Sequence, residues 1–383
     1  MKILILGHGN IGSVLTWDLV KNLLKTQIVV ASENKKRAEE AAEAIHSENV
    51  TGICLDANNQ RELVKTMKRF DLAICALPGA LGFKSIKAAI KAKIDMVDIS
   101  YMPENPLTLN RDAIKAGVTI IPDCGVAPGL SNVLVGHALS KLDRAVDIHI
   151  LVGGLPEKPI PPLDYTATWS IEDLLNEYTR RAKIIKNGKI VEVEALTGLE
   201  RVEISGVGKL EGFYTDGLRT LLYTVDGIEN MWEKTLRYPG HAKKIKLLKS
   251  LGLFDEYPVK FENASVKPRM VTVKLLERLK KPEIKDLLIL IVEVKGVTEE
   301  SKKCYRFFLL DRYDEKNGIT AMARTTAYPA SIITQFMVQN LIEEKGVIPL
   351  ESMGAKSWFF NKLLYELKKR KIRIVETLNE KCF

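Results

Sequence analysis

Short apolar runs alternate with stretches of helical period along the first third of the chain. Lys2–Leu6 is almost wholly apolar, and Ile11–Leu24 then gathers its hydrophobic residues on one helical face. The pairing recurs four times: Gln27–Ala31 before Lys35–Ile45, Val50–Leu55 before Asn59–Lys68, Leu72–Ala76 before Phe83–Ala92, and Asp95–Ile99 before Leu107–Ala116. A short strand, Thr119–Ile121, ends the series. Apolar strands separated by crossover helices predict an α/β fold, with a Rossmann-type doubly wound parallel sheet over residues 1–128. From about Ala145 the pattern changes. Ala145–Gly154, Leu163–Ser170, Val202–Ser205, Gly212–Thr215, Leu288–Lys295 and Tyr305–Asp311 are strand-like, and Asn187-Gly188 joins two further runs as a hairpin turn. Helices interrupt them near Ile171–Glu177, Ala242–Leu251 and Val271–Leu279. Residues 129–325 therefore predict an α+β substrate and dimerisation domain. Helical stretches from about Pro329 to Glu344 and from Lys362 to Arg373 are expected to pack back, so that 326–383 completes the first domain.

The first strand runs straight into Gly7-His8-Gly9-Asn10-Ile11-Gly12. A G-x-G-x-x-G between a strand and a helix predicts a dinucleotide site. Gly7 allows the tight turn, Gly9 lets backbone approach a pyrophosphate, and Gly12 lets the helix pack on the strand. Asn10 and Ile11 open the helix whose N-terminus faces the phosphates. At the end of the second strand stands Ser32, where NAD-specific sites place Asp or Glu on the ribose 2′-hydroxyl. Ser32 carries no charge to repel a 2′-phosphate, and Asn34, Lys35, Lys36 and Arg37 follow it. That favours NADP over NAD, with Glu33 as the acid that could reverse the preference.

Composition narrows the class. Of 383 residues, 46% are hydrophobic and 27% charged, as in an ordinary globular protein. No apolar run is long enough to span a bilayer, so no membrane is expected. Met1-Lys2 enters a strand at once, leaving no room for a signal peptide, and five scattered cysteines without a C-x-x-C pair point to neither disulfides nor a metal site. A reducing cytoplasm is the expected location. The net charge of +9 is spread among acids except at Lys368-Lys369-Arg370-Lys371, which reads as a solvated helix face rather than a nucleic-acid patch.

Three loops fall at the carboxyl ends of the predicted strands, where such sheets bind ligands. Ala76-Leu77-Pro78-Gly79 gives close backbone access to the cofactor. Asp98-Ile99-Ser100-Tyr101 sets a carboxylate and a phenol at the crevice. Pro122-Asp123-Cys124-Gly125-Val126-Ala127-Pro128-Gly129-Leu130-Ser131-Asn132 leads into a helix. Together with the glycine turn, and with Gly153-Gly154-Leu155-Pro156, Thr168-Trp169-Ser170, Glu177-Tyr178 and Thr235-Leu236-Arg237-Tyr238-Pro239-Gly240-His241, these segments resemble the saccharopine dehydrogenase-like family, and within it the lysine 6-dehydrogenase branch. The likeness runs over nearly the whole chain. Ser32 departs from it, since that branch tends to carry Asp there.

The resemblance implies an NAD(P)-dependent dehydrogenase that removes the ε-amine of L-lysine, yielding 2-aminoadipate 6-semialdehyde, which cyclises to piperideine-6-carboxylate. Such a site needs a proton acceptor, a cation for the far carboxylate and shelter from water. His241 is the candidate acceptor, with the cap of the following helix as its plainer reading. Arg237 is the candidate carboxylate partner and Arg324 the second, either of which could instead be an ordinary ion pair. Asp98 and Tyr101 would position the amine or the carboxamide, and Asp123 and Asn132 border the same crevice. Tyr165, Trp169 and Tyr178 would wall the lysine stem or simply fill the core. The rival enzyme is a saccharopine-type reductase, or a polyamine-forming relative, using NADPH; a cluster of Arg237, Arg269 and Arg324 in one pocket would favour it. A non-catalytic NADP sensor is the alternative of another class. A small amino-acid substrate and a homodimer are expected as partners.

Overall fold

The computed structural model describes residues 1–278, 280 and 284–379. Leu279, the expected end of one helix, and Cys382 lie outside them, as does the tail of the segment 326–383. The chain divides into two compact units: Met1–Asp143 with Arg219–Thr224 and Ala323–Ile374, and Arg144–Leu218 with Val225–Met322 and Val375–Phe383.

The first unit holds the predicted alternation: β1 (Lys2–Leu6), α1 (Asn10–Asn22), β2 (Gln27–Ser32), α2 (Lys35–Glu43), β3 (Val50–Cys54), α3 (Gln60–Met67), β4 (Leu72–Cys75), α4 (Gly79–Ala92), β5 (Asp95–Asp98), α5 (Asn110–Ala116), β6 (Thr119–Ile121) and α6 (Leu130–Leu139). β1, β2, β3, β4, β5 and β6 pair in parallel in the order β6-β5-β4-β1-β2-β3. Their central strands are buried on both faces, which is why they read as unbroken apolar runs.

The second unit opens with β7 (Arg144–Pro156), then α7 (Ile171–Thr179), β8 (Ala182–Lys186), β9 (Lys189–Val193), β10 (Glu200–Ile204) and β11 (Gly208–Tyr214). The short α8 (Leu221–Thr224) belongs to the first unit. There follow β12 (Asn230–Arg237), α9 (His241–Ser250), β13 (Val259–Phe261), β14 (Ala264–Val266), α10 (Pro268–Glu277), β15 (Asp286–Val297) and β16 (Lys302–Arg312). Asn187 and Gly188 take positive φ, 51° and 74°, as the predicted hairpin turn between β8 and β9 requires. β7 pairs in parallel with β12 and antiparallel with β15, giving the mixed sheet of an α+β domain. Leu155, Leu236, Leu287 and Ile289 on this sheet pack with Leu175, Tyr178 and Ile245 of α7 and α9 in one core.

The chain then returns through α11 (Ala321–Val338), β17 (Gly346–Val347), α12 (Leu350–Gly354) and α13 (Ser357–Lys369), and finishes in β18 (Ile374–Asn379). Among the described residues, β17 makes the first sheet seven-stranded, and β18 lies beside β16 in a second sheet of nine strands.

Four expectations need correction. Leu163–Ser170 is loop, its alternating side chains buried by packing rather than by pairing. β12 carries so many polar residues that it was not expected at all. α11 starts before Pro329, which sits inside the helix. The domain boundary also moves: α6 belongs to the first unit, because Gly136 faces the backbone of Glu351 and Gly354 that of Val133, bringing α6 and α12 backbone to backbone. At the other end, Val375–Asn379 is strand of the second unit. No described helix is long and apolar enough to cross a membrane.

Candidate functional site

The glycine turn has the shape a dinucleotide requires. Gly7 takes φ +91°, and a Cβ there would lie 2.6 Å from the Ala76 carbonyl oxygen. A Cβ on Gly12 would collide with the Gly7 carbonyl, whereas Gly9 has open space on its Cβ side. Thus two glycines are needed to close the turn and the third leaves backbone accessible. α1 begins at Asn10 with no side-chain cap from Gly9, and α4 begins at Gly79 with none from Pro78. A helix N-terminus carries partial positive charge that favours anionic groups. These residues fit a dinucleotide.

Beside β2, Ser32 is half-buried and its Oγ accepts from Asn34 N–H at 3.4 Å. Asn34 is less available than the sequence implied, because its Oδ1 accepts from Arg37 N–H at 3.1 Å and caps α2. Lys35 and Lys36 face Glu39 and Glu40 at 3.7 Å in exposed pairs along the helix. The exposed Arg37 side chain has no ion-pair partner among the described residues, so it is the cation best placed to meet a phosphate there.

At the carboxyl edge of β4, β5 and β6 stands a buried acid. Asp98 ends β5 with no exposure, and its Oδ1 accepts from Ser100 N–H at 3.1 Å and Ser100 Oγ–H at 2.8 Å. Burial raises its pKa to about 7; the Asp123 charge adds to the rise, against the hydrogen bonds from Ser100 and the Cys75 thiol. Cys75 and Cys124 are buried too, and burial pushes both thiols up. Asp123 is held by Arg219, whose Nε donates to its Oδ1 at 3.0 Å while Nη1 donates to the Glu104 carbonyl. Arg219 escaped the sequence reading because it lies 96 residues from Asp123. Tyr101 is half-buried in the loop after β5.

Asn132 is a correction. Its Oδ1 accepts from Gly129 N–H and Ser131 Oγ–H, and its Nδ2 donates to Thr220 Oγ1 and Glu351 Oε2, each at 3.1 Å. Every hydrogen-bonding position of the amide is spent inside the first unit, on fixing α6, so none remains for substrate. Arg324, on α11, donates to the Arg370 carbonyl at 3.0 Å and is almost fully buried. Within the basic run, Arg370 is no surface charge: its Nε donates to both Asp18 oxygens, at 2.8 and 3.0 Å, and Ser331 Oγ–H donates to Asp18 as well.

A second cluster lies wholly in the second unit. Arg237, at the end of β12, donates through Nη2 to both oxygens of Glu177 on α7, at 2.9 and 3.1 Å, and through Nη1 to the Leu236 carbonyl. Its guanidinium lies 4.4 Å from the centre of the Tyr165 ring. Burial alone would lower its pKa, but Glu177 and the two tyrosines raise it, so it is charged at any ordinary pH. Trp169 Nε1–H donates to the Tyr165 hydroxyl at 3.2 Å, and the Tyr178 hydroxyl meets His241 Nε2 at 2.9 Å. Sequence reasoning used Glu177 only as part of a motif, and its pairing with Arg237 shows only in three dimensions.

His241 does not suit the role of proton acceptor. It is fully buried at the start of α9, and its Nδ1 lies 2.8 Å from the Leu163 carbonyl, which can only accept. Nδ1 therefore carries the hydrogen, and Nε2 accepts a hydrogen bond from the Tyr178 hydroxyl, so neither ring nitrogen is open. Burial and then the Arg237 charge lower its pKa to about 3. Arg269 donates to Asn176 Oδ1 and the Glu172 carbonyl and pairs with Glu256, Arg237 pairs with Glu177, and Arg324 belongs to the first unit.

Known proteins share both units. Residues 3–121 match the saccharopine dehydrogenase NADP binding domain, and 125–372 the saccharopine dehydrogenase C-terminal domain. Saccharopine dehydrogenase [NADP(+), L-glutamate-forming] of Schizosaccharomyces pombe is 24% identical over 98% of this chain and 99% of its own. Mitochondrial alpha-aminoadipic semialdehyde synthase of Bos taurus is 28% identical over 67% of the chain, which spans only 29% of that longer protein. The apo saccharopine dehydrogenase (L-Glu forming) of Saccharomyces cerevisiae shares the fold, with a TM-score of 0.79 at 21% identity over 99% of both chains. The chain belongs to the saccharopine dehydrogenase family, as an NAD(P)-dependent oxidoreductase built from that family's NADP-binding and C-terminal domains.

Proposed function

We propose that this protein uses NADP to oxidise a carbon–nitrogen bond of a lysine-related amino acid, and that its substrate is L-lysine, deaminated at the ε-carbon. The relatives' names support the cofactor and the substrate class. The observation that carries lysine over saccharopine is that the second unit's buried Arg237 and Arg269 are each already paired with an acid. Saccharopine bears three carboxylates, whereas L-lysine bears one, and in the second unit Arg237 and Arg269 have acid partners in Glu177 and Glu256.

A bound oxidised nicotinamide would supply the hydride acceptor. The chain's residues do the rest. Gly7, Gly9 and Gly12, with the start of α1, hold the pyrophosphate; Ser32 and Arg37 receive the 2′-phosphate. Asp98 is the proton acceptor in place of His241, because a pKa of about 7 matches a neutral working pH. Ser100 fixes one of its oxygens, and Arg219 fixes the neighbouring Asp123. The amine loses a proton before hydride leaves the ε-carbon; water then adds to the imine, and ammonia departs.

The test is the absorbance of reduced nicotinamide at ~340 nm with NADP or NAD and a panel of L-lysine, saccharopine and short diamines. Growth with L-lysine and NADP is the expected result. Growth with saccharopine alone would transfer the assignment to the saccharopine-type reaction, which the names of the full-length relatives favour. Cofactor binding without turnover of any compound would favour a sensor.

A further inference from the structure

The Arg237–Glu177 pair is costly where it stands. Its side chains are 3% and 8% exposed, so two charges have been taken out of water to meet each other. Nor is the guanidinium satisfied: Arg237 Nε is buried without a hydrogen-bond partner among the described residues, although Nη1 and Nη2 are both bonded. Hydrophobic side chains would fill the same space without that cost.

The surroundings isolate this pair as one positive and one negative charge. Glu233, on β12, is buried beside it, and burial, then Glu177 and Asp216, raise its pKa to about 8, so it is neutral at pH 7. Asp216 lies 3.6 Å from Arg180. His241 is neutral, for the reasons given above, and Tyr165 and Tyr178 have raised pKa values through burial. Tyr165, over the guanidinium, comes from the loop 157–170. Three bonds tie that loop to α9: His241 to the Leu163 carbonyl, and Lys244 to Asp164 and to the Pro162 carbonyl.

We propose that Arg237 and Glu177 form a receptor for the zwitterionic head of an α-amino acid, the α-carboxylate binding Arg237 and the α-ammonium binding Glu177. The proposal rests on the reading that the substrate is an amino acid and adds the group that selects for it. In the free protein the two side chains neutralise each other. A zwitterion inserted between them replaces one ion pair by two and leaves the buried charge balanced. A carboxylate without an ammonium leaves Glu177 unmatched, and an amine without a carboxylate leaves Arg237 unmatched; a buried unmatched charge is strongly disfavoured. Arg237 Nε–H then gains the acceptor it lacks, since a carboxylate can take two guanidinium hydrogens side by side. Glu177 is thereby the residue that separates amino acids from simple acids, and Arg237 the one that separates them from diamines.

Calorimetric titration of the full chain, saturated with NADPH, tests this with three ligands that cannot be deaminated at an ε-amine: L-norleucine, hexanoate and pentylamine. Wild-type protein is expected to bind L-norleucine at least ~10-fold tighter than either half-ligand. Glu177→Gln should remove most of the preference over hexanoate, tightening hexanoate and weakening L-norleucine. Arg237→Gln should do the same for the preference over pentylamine. Equal binding of L-norleucine and hexanoate by wild type, no binding of L-norleucine, or an equal loss for all ligands in Glu177→Gln would overturn the proposal. The wild-type comparison needs no variant to fold. Lysine turnover without a norleucine preference sinks the receptor alone, and a norleucine preference without lysine turnover sinks the reaction alone.

Discussion

Replacing Asp98 by Asn should make the protein more stable above neutral pH and nearly inactive. In the native state burial lifts the Asp98 pKa from 3.8 to about 7. At ~1.4 kcal/mol per unit that difference is about 4 kcal/mol, an upper figure for a fully buried group. Its sign follows from proton binding. Below about pH 4 both folded and unfolded chains hold the proton and the residue costs nothing. As pH rises from about 4 to about 7 the unfolded chain releases its proton first, so the native state loses stability; above about 7 the full penalty applies. Asn keeps the oxygen that accepts from Ser100 and carries no charge at any pH. The gain of the variant over wild type should therefore grow from near zero at about pH 4 to about 4 kcal/mol at pH 8, about 8–16 °C in melting temperature for a unit of this size. Scanning calorimetry of both proteins from about pH 5 to about pH 9 reads this directly. A difference that stays constant across that range would refute the reasoning, because only a titrating group gives it a slope. Turnover supplies the counterpart: if Asp98 takes the substrate proton, the rate falls on the order of 100-fold or more.

Ser32→Asp should reverse the cofactor preference, lowering kcat/KM with NADP on the order of 10-fold or more by placing a carboxylate against the 2′-phosphate while NAD is spared; steady-state kinetics with both cofactors measure the ratio, and an unchanged ratio would place the discrimination elsewhere. Arg370→Gln leaves Asp18 buried without its cation, at about 3–5 kcal/mol, so the melting temperature should drop by on the order of 10 °C; a drop of under about 2 °C would mean the pair contributes little. His241→Gln should leave the midpoint of the pH–rate profile unmoved, since the ring is neutral down to about pH 3; a shifted midpoint would restore His241 as the titrating group.

The first unit was legible because its evidence is local. A strand buried on both faces is an apolar run, and a glycine turn is a fixed spacing, so β1 to β6 and the cofactor loop could be placed from neighbouring residues alone. β12 was hidden because its signal is not local. Glu233 and Lys234 read as surface residues, and only partners from other elements, such as Glu200 for Lys234, make such burial tolerable. Leu163, Tyr165 and Ala167 imitated a strand because a loop pressed onto a core can bury alternate side chains. The site was half legible for the same reason. Asp98 and Arg237 stood out by type and position. What separates Asp98 from His241, both fully buried, is hydrogen bonding: both His241 ring nitrogens are engaged, while Asp98 Oδ2 has no hydrogen-bond partner among the described residues, and no spacing reveals that. Arg219, Glu177 and Glu351 act on residues 96, 60 and 219 positions away.

The discontinuity of the first unit bears on its birth at the ribosome. Residues 1–143 include its strand–helix alternation, but α11, α12 and α13 arrive only as the chain nears Ile374. At bacterial or eukaryotic elongation rates that interval lasts on the order of tens of seconds. Throughout it Asp18, on α1, is without Arg370 and Ser331, and α6 is without Glu351. The nascent nucleotide-binding half therefore waits in an incomplete state until the last helices arrive.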